Sequence, residues 1–236
     1  MTASVRHDPE RLHLALMLTL TFSTGVIDSV CYLGLDRVFT GNMTGNILIL
    51  GMGLLGAGGL PIVGPVIALF AFALGAVIAG RAFRSLPPGW TWQTTAMLTV
   101  VAALLVGIAS VTVAFPSLPR GLALSATGTL GVAMGIQAAT ARHIAVKEVT
   151  TVVVTATLTG LASESWLGAR TGQLWGRRAG AILLLLAGAV LGALTLKTGT
   201  IGLGLVLAAV ITSAVAAVGH AQSPTSAGRR SGEAPP

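Results

Sequence analysis

Eight apolar segments follow one another along the chain, and short polar loops separate them. A helix needs about 20 apolar residues to cross the hydrocarbon core of a bilayer. The first, third, fourth and fifth segments meet that length, and the seventh and eighth are near its lower limit. In order, the segments are residues 12–35, 38–57, 61–83, 94–115, 118–141, 149–162, 179–196 and 201–218. The sequence therefore predicts an all-α polytopic membrane protein.

The small number of charged residues excludes most other classes. Only 9% of the 236 residues are charged, whereas soluble domains carry about 25%. A soluble enzyme and a nucleic-acid-binding protein are therefore not expected, despite a pI near 11.3. The basic residues stand singly or in pairs between apolar runs, which is the pattern of membrane topology signals. The one cysteine, Cys31, cannot form an internal disulfide, which excludes a disulfide-rich secreted domain.

The second and sixth segments differ from the others. Residues 38–57 open with the polar run TGNMTGN, and residues 149–162 are short and contain five threonines. Polar and glycine-rich backbone at membrane depth must be buried in protein or line a cavity. We expect both segments to form short broken or re-entrant helices, so that six transmembrane helices remain.

The distribution of basic residues favours six crossings over eight. With six, eleven Lys and Arg residues lie on the side of the termini and three on the opposite side. With eight, the split is eight against six. Because cytoplasmic loops collect basic residues, the six-span topology predicts that both termini are cytoplasmic.

The two halves of the chain contain similar motifs. Thr40 and Thr44 match Thr151 and Thr155 in spacing, which indicates repeats over residues 12–115 and 118–220. We expect one membrane domain, residues 1–220, and a disordered tail, residues 221–236. Three spans per half give the repeats opposite orientations, an arrangement known in secondary transporters. The alternative is an eight-span bundle of parallel repeats.

Asp28 is the most informative single residue, because it lies inside the first predicted span. A charged side chain at the centre of a bilayer costs at least about 2.5–3.5 kcal/mol on insertion scales. Thr24 and Tyr32 lie four residues away on either side and share its helix face. This polar face indicates a proton or cation site, or a contact to a substrate. The alternative is a neutral, buried carboxyl group that binds neighbouring helices.

Residues 40–46 (TGNMTGN), which follow the first predicted span, supply further polar groups. We expect them to line a cavity, although their two glycines could instead form a helix-packing seam. If a helix begins near Thr44, its first amides could attract an anion. In the second half, the counterparts of Asp28, Thr40 and Thr44 would be Gln137, Thr151 and Thr155. A buried glutamine can also simply join helices. The predicted substrate or ion pathway comprises Asp28, Thr24, Tyr32, Thr40, Asn42, Thr44, Asn46, Gln137, Thr151 and Thr155.

Four stretches together resemble one protein family. They are residues 25–29 (GVIDS), 39–46 (FTGNMTGN), 135–139 (GIQAA) and 150–155 (TTVVVT). This combination resembles the YoaK family of bacterial inner-membrane proteins, whose function is unknown. The chain departs from the family pattern at Ala138, where the family commonly has Asn, and at Ala156, where it has Gly. The resemblance implies a plasma-membrane location and names no substrate.

Enzyme signatures are absent from the sequence. There is no Gly-x-Ser-x-Gly nucleophile turn, no phosphate-binding loop and no His/Glu pair at metal-binding spacing. We therefore expect no enzymatic activity, no cofactor, no metal site and no nucleic-acid partner. The favoured function is a small secondary transporter or permease for a small molecule or ion, with proton coupling through Asp28 as its mechanism. The alternative is a non-transporting membrane protein that acts in assembly or stress.

Overall fold

The computed structural model describes residues 9–115, 117–145, 154–170, 174–198 and 200–223. These residues form eight α-helices and a short 3-10 turn at Ala57–Gly59, with no strand among them. The helices are α1 (Pro9–Gly34), α2 (Met43–Leu54), α3 (Val63–Ala82), α4 (Trp92–Ala114), α5 (Arg120–Ile144), α6 (Val154–Ser163), α7 (Trp175–Thr198) and α8 (Ile201–Ala221).

The eight helices confirm the predicted all-α fold class. Six of the helices in the described ranges are long and apolar enough to cross a membrane, and α2 and α6 are the two shorter apolar helices. Large apolar side chains such as Phe70, Val113 and Leu183 point outward on the long helices. Lipid tails can cover these side chains, whereas their contact with water would be unfavourable. The protein is therefore a multi-pass membrane protein in contact with the bilayer.

The two least apolar long helices are also the most buried. The best windows of α1 and α5 have mean hydropathies of 1.6 and 1.3, and those of the other four long helices reach 2.3 to 2.4. Polar groups are costly in hydrocarbon unless protein surrounds them. The fold places α1 and α5 inside, where Gln137 of α5 contacts Thr24 of α1 and Asp28 of α1 contacts the segment before α2.

The long helices pack in a regular set of pairs. α1 packs mainly on α7 and α8, while α5 packs mainly on α3 and α4. α4 and α8 pack on each other, α2 lies beside α3, and α6 lies beside α7. The apolar core lies between α1, α4, α5 and α8, with its largest buried side chains at Ile27, Leu105, Leu130, Met134 and Leu205.

Glycines allow two of these pairs to approach closely. A β-carbon on Gly25 of α1 would overlap the backbone of Leu185 in α7. A β-carbon on Gly135 of α5 would likewise overlap the backbone of Phe72 in α3. Such contacts between small residues are a common way to join helices in membranes, because they bring backbones together.

Several sequence predictions fall on residues that the structure does not describe. These are residues 146–153, which include Thr151, and residues 224–236, which make up most of the predicted tail. Helix α8 ends at Ala221, and residues 222–223 are the last that the structure describes.

Candidate functional site

The carboxylate of Asp28 binds the chain segment that leads into α2. Its Oδ1 atom accepts hydrogen bonds from Gly41 N at 2.7 Å and from Thr40 N at 2.9 Å. The hydroxyl of Thr40 donates a third, at 3.3 Å. The helix that the sequence predicts near Thr44 begins at Met43. The two amides that Asp28 binds precede the first residue of α2 by three and two positions, so this carboxyl group lies beside the N-terminal end of the helix.

Asn46 fixes the same segment from the other side. Its Oδ1 atom accepts a hydrogen bond from Phe39 N at 3.0 Å, and its Nδ2 atom donates to Phe39 O at 2.7 Å. Asn42 caps α2, because its Oδ1 atom accepts from Gly45 N at 3.1 Å. Residues 35–42 are not helical. The side chains of Asp28 and Asn46 bind the backbone of residues 39–41, which fits the need to pair backbone groups at membrane depth.

A cavity of about 460 Å³ opens beside Asp28. It lies between α1, the segment before α2, the first half of α2, the start of α6 and the middle of α7. This volume falls within the range of about 300–1,000 Å³ that is usual for small-molecule sites. The described residues that line it are Thr24, Gly25, Asp28, Ser29, Phe39, Gly41, Asn42, Thr44, Gly45, Leu48, Val154, Thr155, Leu185 and Ala189.

The structure brings five of the predicted pathway residues together at this cavity. They are Thr24, Asp28, Asn42, Thr44 and Thr155. Thr155 comes from the second half of the chain, so both halves contribute to the lining. Thr151 lies outside the described residues.

The other predicted residues support the lining from behind. Tyr32 stacks on Phe39, with ring centroids 4.7 Å apart. Thr40 and Asn46 are fully buried and hold the segment through the hydrogen bonds given above. Tyr32, Thr40 and Asn46 are therefore not among the described residues that line the cavity, and they lie behind those that do.

Gln137 is also one layer behind the cavity. Its Nε2 atom donates to Thr24 Oγ1 at 3.1 Å, and Thr24 in turn donates to Leu20 O at 3.0 Å. The Gln137 side chain is completely buried, and its Oε1 atom has no hydrogen-bond partner in the described part of the chain. The residue thus joins α5 to α1 next to the cavity, as the packing interpretation of a buried glutamine expects.

The sequence gives no signal for several residues of the lining. Leu48, Leu185 and Ala189 are apolar residues of apolar helices, and nothing in their local sequence distinguishes a cavity wall from a lipid-facing surface. Ser29 could have been found, because it follows Asp28 directly. Its hydroxyl donates to Val26 O at 3.1 Å, which leaves its lone pairs as acceptors.

An ion pair joins the residue that follows α6 to the start of α7. The guanidinium of Arg178 makes a two-fold contact with Glu164, at 2.8 Å from Nη1 to Oε2 and 3.1 Å from Nη2 to Oε1. The hydrogen bond and the positive charge of Arg178 hold the pKa of Glu164 below its ordinary value. Arg178 is almost fully buried, and its side chain packs against Gly160 of α6. The pair therefore fixes the position of α6, whose first residues line the cavity.

Comparison with known proteins assigns the chain to a family. Residues 16–218 match the family described as "Protein of unknown function (DUF1275)". The chain is similar to the UPF0700 transmembrane protein YoaK of Bacillus subtilis (strain 168), with 29% identity over 153 residues. That alignment covers 63% of this chain and 65% of the relative, so the match spans less than two thirds of the relative's length. No solved structure matches. The chain belongs to the DUF1275 family of membrane proteins.

Proposed function

We propose that the protein is a small secondary transporter or permease whose solute occupies the cavity beside Asp28. The observation that carries this proposal is the cavity itself. An acidic side chain inside a membrane helix lines a space of about 460 Å³ together with non-helical backbone and residues of both halves. Intramembrane ionisable residues that face a cavity commonly mark substrate or ion pathways. No catalytic activity is part of the proposal.

The packing of the helices supports an inverted internal repeat. If α1 to α4 correspond to α5 to α8, the pair α1 and α7 corresponds to α5 and α3, and both pairs are closely packed. The same exchange relates α1 and α8 to α5 and α4, and α2 and α3 to α6 and α7. Three long helices per half then give the halves opposite orientations. Repeats of this kind often surround a site near the bilayer midplane, formed by discontinuous helices.

The register between the halves follows from burial and close contacts. Residues 21–30 and residues 131–140 alternate between buried and partly exposed positions in the same order. Gly25 and Gly135, which are 110 positions apart, make equivalent backbone contacts. In this register Asp28 corresponds to Ala138, and Gln137 corresponds to Ile27. The proposed repeat is therefore chemically unequal, because its second half has a methyl group where the first has a carboxyl group.

We further propose that the termini face the cytoplasm of a bacterial inner membrane. In the six-span arrangement, several basic residues of the described ranges lie on the side of the termini. They are Arg11, Arg81, Arg84, Arg142, Arg170, Arg177 and Arg178. The opposite side holds Arg37, Arg120 and Lys197. This asymmetry supports the orientation, because basic residues accumulate in cytoplasmic loops.

Proton coupling through Asp28 is the mechanism that we propose for this transport. A carboxyl group that is open to the cavity can take up a proton from one side of the membrane and release it to the other. The alternative, a non-transporting role in assembly or stress, predicts that the cavity never connects to both sides.

Accessibility of the cavity from each side of the membrane tests the proposal. Thr44→Cys, in a Cys31→Ser background, places a thiol on the cavity wall. We expect a membrane-impermeant thiol reagent to modify it both in right-side-out and in inside-out vesicles. Ile47→Cys is the matched control on the same helix, because Ile47 is 58% exposed and does not line the cavity. In lipid this thiol should react from neither side. Modification of the Thr44→Cys protein from one side only, or from neither, would contradict transport through the cavity.

A further inference from the structure

We infer that the cavity binds a small organic cation, with an ammonium group at Asp28 Oδ2 and an apolar body against the apolar part of the lining. The inference names the substrate class of the cavity described above. Only the part that concerns movement across the membrane rests on the proposed function. Binding itself can be measured without it.

The two oxygen atoms of Asp28 are used differently. The hydrogen bonds from Thr40 N, Gly41 N and Thr40 Oγ1 all end on Oδ1. Oδ2 receives none of the three. It lies 3.3 Å from the point where a β-carbon on Gly41 would stand, so the glycine leaves this oxygen uncovered on that side. The backbone of Asn42 also interacts with this carboxyl group. Oδ1 anchors the segment before α2, and Oδ2, which takes none of the bonds from Thr40 and Gly41, is the oxygen that we assign to a ligand.

The charge of the lining selects the sign of the ligand. Asp28 is the only charged residue among the described residues that line the cavity. When it is ionised, its charge has no counter-charge within that lining. Removing a carboxylate from water is costly unless an opposite charge compensates it. A ligand with one positive charge supplies that compensation, whereas an anion would add a second uncompensated charge.

The apolar part of the lining selects an organic cation over a metal ion. Phe39, Leu48, Leu185 and Val154 offer side chains that cannot coordinate a metal ion. An alkyl or aryl body of a ligand would bury apolar surface there, at about 25 cal/mol per Å². The ring of Phe39 can also attract a cation through its face. The volume of about 460 Å³ accommodates a molecule of this size.

Hydroxyl groups around the carboxylate complete the recognition of an ammonium group. An ammonium group has three N–H donors and no acceptor. Oδ2 can accept one of these hydrogen bonds. Ser29, Thr44 and Thr155 also line the cavity, and their hydroxyl oxygens can accept others. An alcohol of the same shape lacks the charge and two of the donors, so it should bind far less well.

A proton and an ammonium ion would then compete for the same oxygen atom. When Oδ2 carries a proton, it cannot balance the charge of an ammonium ion. Binding of the cation therefore requires that the carboxyl group release its proton to water, and release of the cation allows the proton to return. In the proposed transporter this competition makes the exchange of protons for organic cations the expected mode of coupling.

Thermal unfolding of the purified full-length protein in detergent tests the binding. The probes are n-butylammonium, n-butanol and butanoate, which share an alkyl chain and differ in charge. We expect butylammonium to raise the unfolding midpoint of the wild type, because a ligand that binds only the folded state stabilises it. Butanol and butanoate should raise it much less. Asp28→Asn should weaken butylammonium binding by about tenfold or more, which corresponds to at least about 1.4 kcal/mol.

Asp36→Asn is the matched control, since it makes the same chemical change at a position outside the cavity lining. This variant should bind butylammonium as the wild type does. An equal response to butylammonium and butanol, or unchanged binding by folded Asp28→Asn protein, would overturn the inference. An equal rise of the unfolding midpoint with sodium chloride, at the ionic strength of the butylammonium solution, would also overturn the inference and would indicate an inorganic cation. Binding without two-sided access of the Thr44→Cys thiol would instead overturn the transport function and leave the cation site standing.

Discussion

Asn46 and Phe39 are joined by two hydrogen bonds, from Phe39 N to Asn46 Oδ1 at 3.0 Å and from Asn46 Nδ2 to Phe39 O at 2.7 Å. One side chain thereby satisfies both backbone groups of a residue in the irregular segment before α2. Asn46 itself is completely buried. Since unpaired backbone groups are costly inside a membrane protein, this amide makes the irregular segment possible at that depth.

Asn46→Ala is expected to destabilise the protein strongly. The substitution leaves both backbone groups of Phe39 without their partner, and each unsatisfied buried group costs about 1–3 kcal/mol. Asn42→Ala is the comparison on the same helix. It removes an exposed N-cap and should cost about 0.5–2 kcal/mol. Unfolding midpoints of the purified variants in detergent measure both effects, and an Asn46→Ala protein that is no less stable than the Asn42→Ala protein would contradict this role.

Gly25→Ala is expected to disturb the packing of α1 on α7. The added methyl group would meet Leu185 O and lie 2.9 Å from Ala189 N, and neither backbone atom can move aside easily. Overpacking of this kind typically costs about 1–3 kcal/mol.

Gly107→Ala in α4 is the control, because nothing lies within 4 Å of its added carbon. Alanine favours helix over glycine by about 1 kcal/mol, so the control should be as stable as the wild type or more stable. Equal unfolding midpoints for the two alanine variants would show that α1 and α7 do not approach as closely as described.

The orientation of the loops predicts a pattern of thiol labelling in whole cells. In a Cys31→Ser background, Gly89→Cys lies between α3 and α4, and Ser117→Cys lies between α4 and α5. With six crossings and cytoplasmic termini, an impermeant reagent added outside should modify only the Ser117→Cys protein. Eight crossings predict the reverse, with modification of the Gly89→Cys protein alone.

The ion pair between Glu164 and Arg178 predicts a dependence of stability on pH. Because the pKa of Glu164 lies below its ordinary value in the folded protein, the pair stabilises the fold above the ordinary pKa of Glu. This contribution is lost as the pH falls through the lowered value. We expect Glu164→Gln to lower the unfolding midpoint at about pH 7, and to match the wild type once the pH is low enough to protonate Glu164.

Glu10→Gln is the control for this measurement. It removes the ion pair of Glu10 with Arg177, in which Glu10 is 65% exposed. Exposed pairs contribute little to stability, so a smaller effect is expected. If the Glu164→Gln and wild-type proteins differ equally at all pH values, the ionised pair is not the cause.

The sequence was sufficient to predict the six long helices and the two short ones, because the hydrocarbon core demands a fixed length of apolar chain. It also pointed to Asp28, since a carboxyl group in a span must find a partner. It could not predict that Thr40 and Gly41 supply that partner through backbone amides, because amides are present at every residue. The roles of Leu185 and Ala189 of α7 could not be predicted either, because they depend on which helix packs beside α1.

The register between the halves illustrates a further limit. The motif containing Gln137 resembles the motif containing Asp28, and their order along the chain favours pairing these two residues. The burial pattern instead makes Ala138 the equivalent of Asp28 in the proposed repeat. A shift of one residue turns a helix position by about 100°, so three-dimensional contacts are needed to choose between the two.

Transport by the Asp28→Asn protein in reconstituted vesicles is the most direct test of the proposed mechanism. Solute profiling of a strain that lacks the protein identifies the solute, and flux is then driven by an imposed pH gradient. The asparagine keeps the size of the side chain and an oxygen acceptor for the amides of Thr40 and Gly41, but it cannot exchange a proton. We expect it to insert and fold while losing about tenfold or more of the driven flux, with Asp36→Asn as the active control. Full pH-driven flux in the folded Asp28→Asn protein would show that Asp28 only holds the segment before α2, and would contradict the proposed coupling.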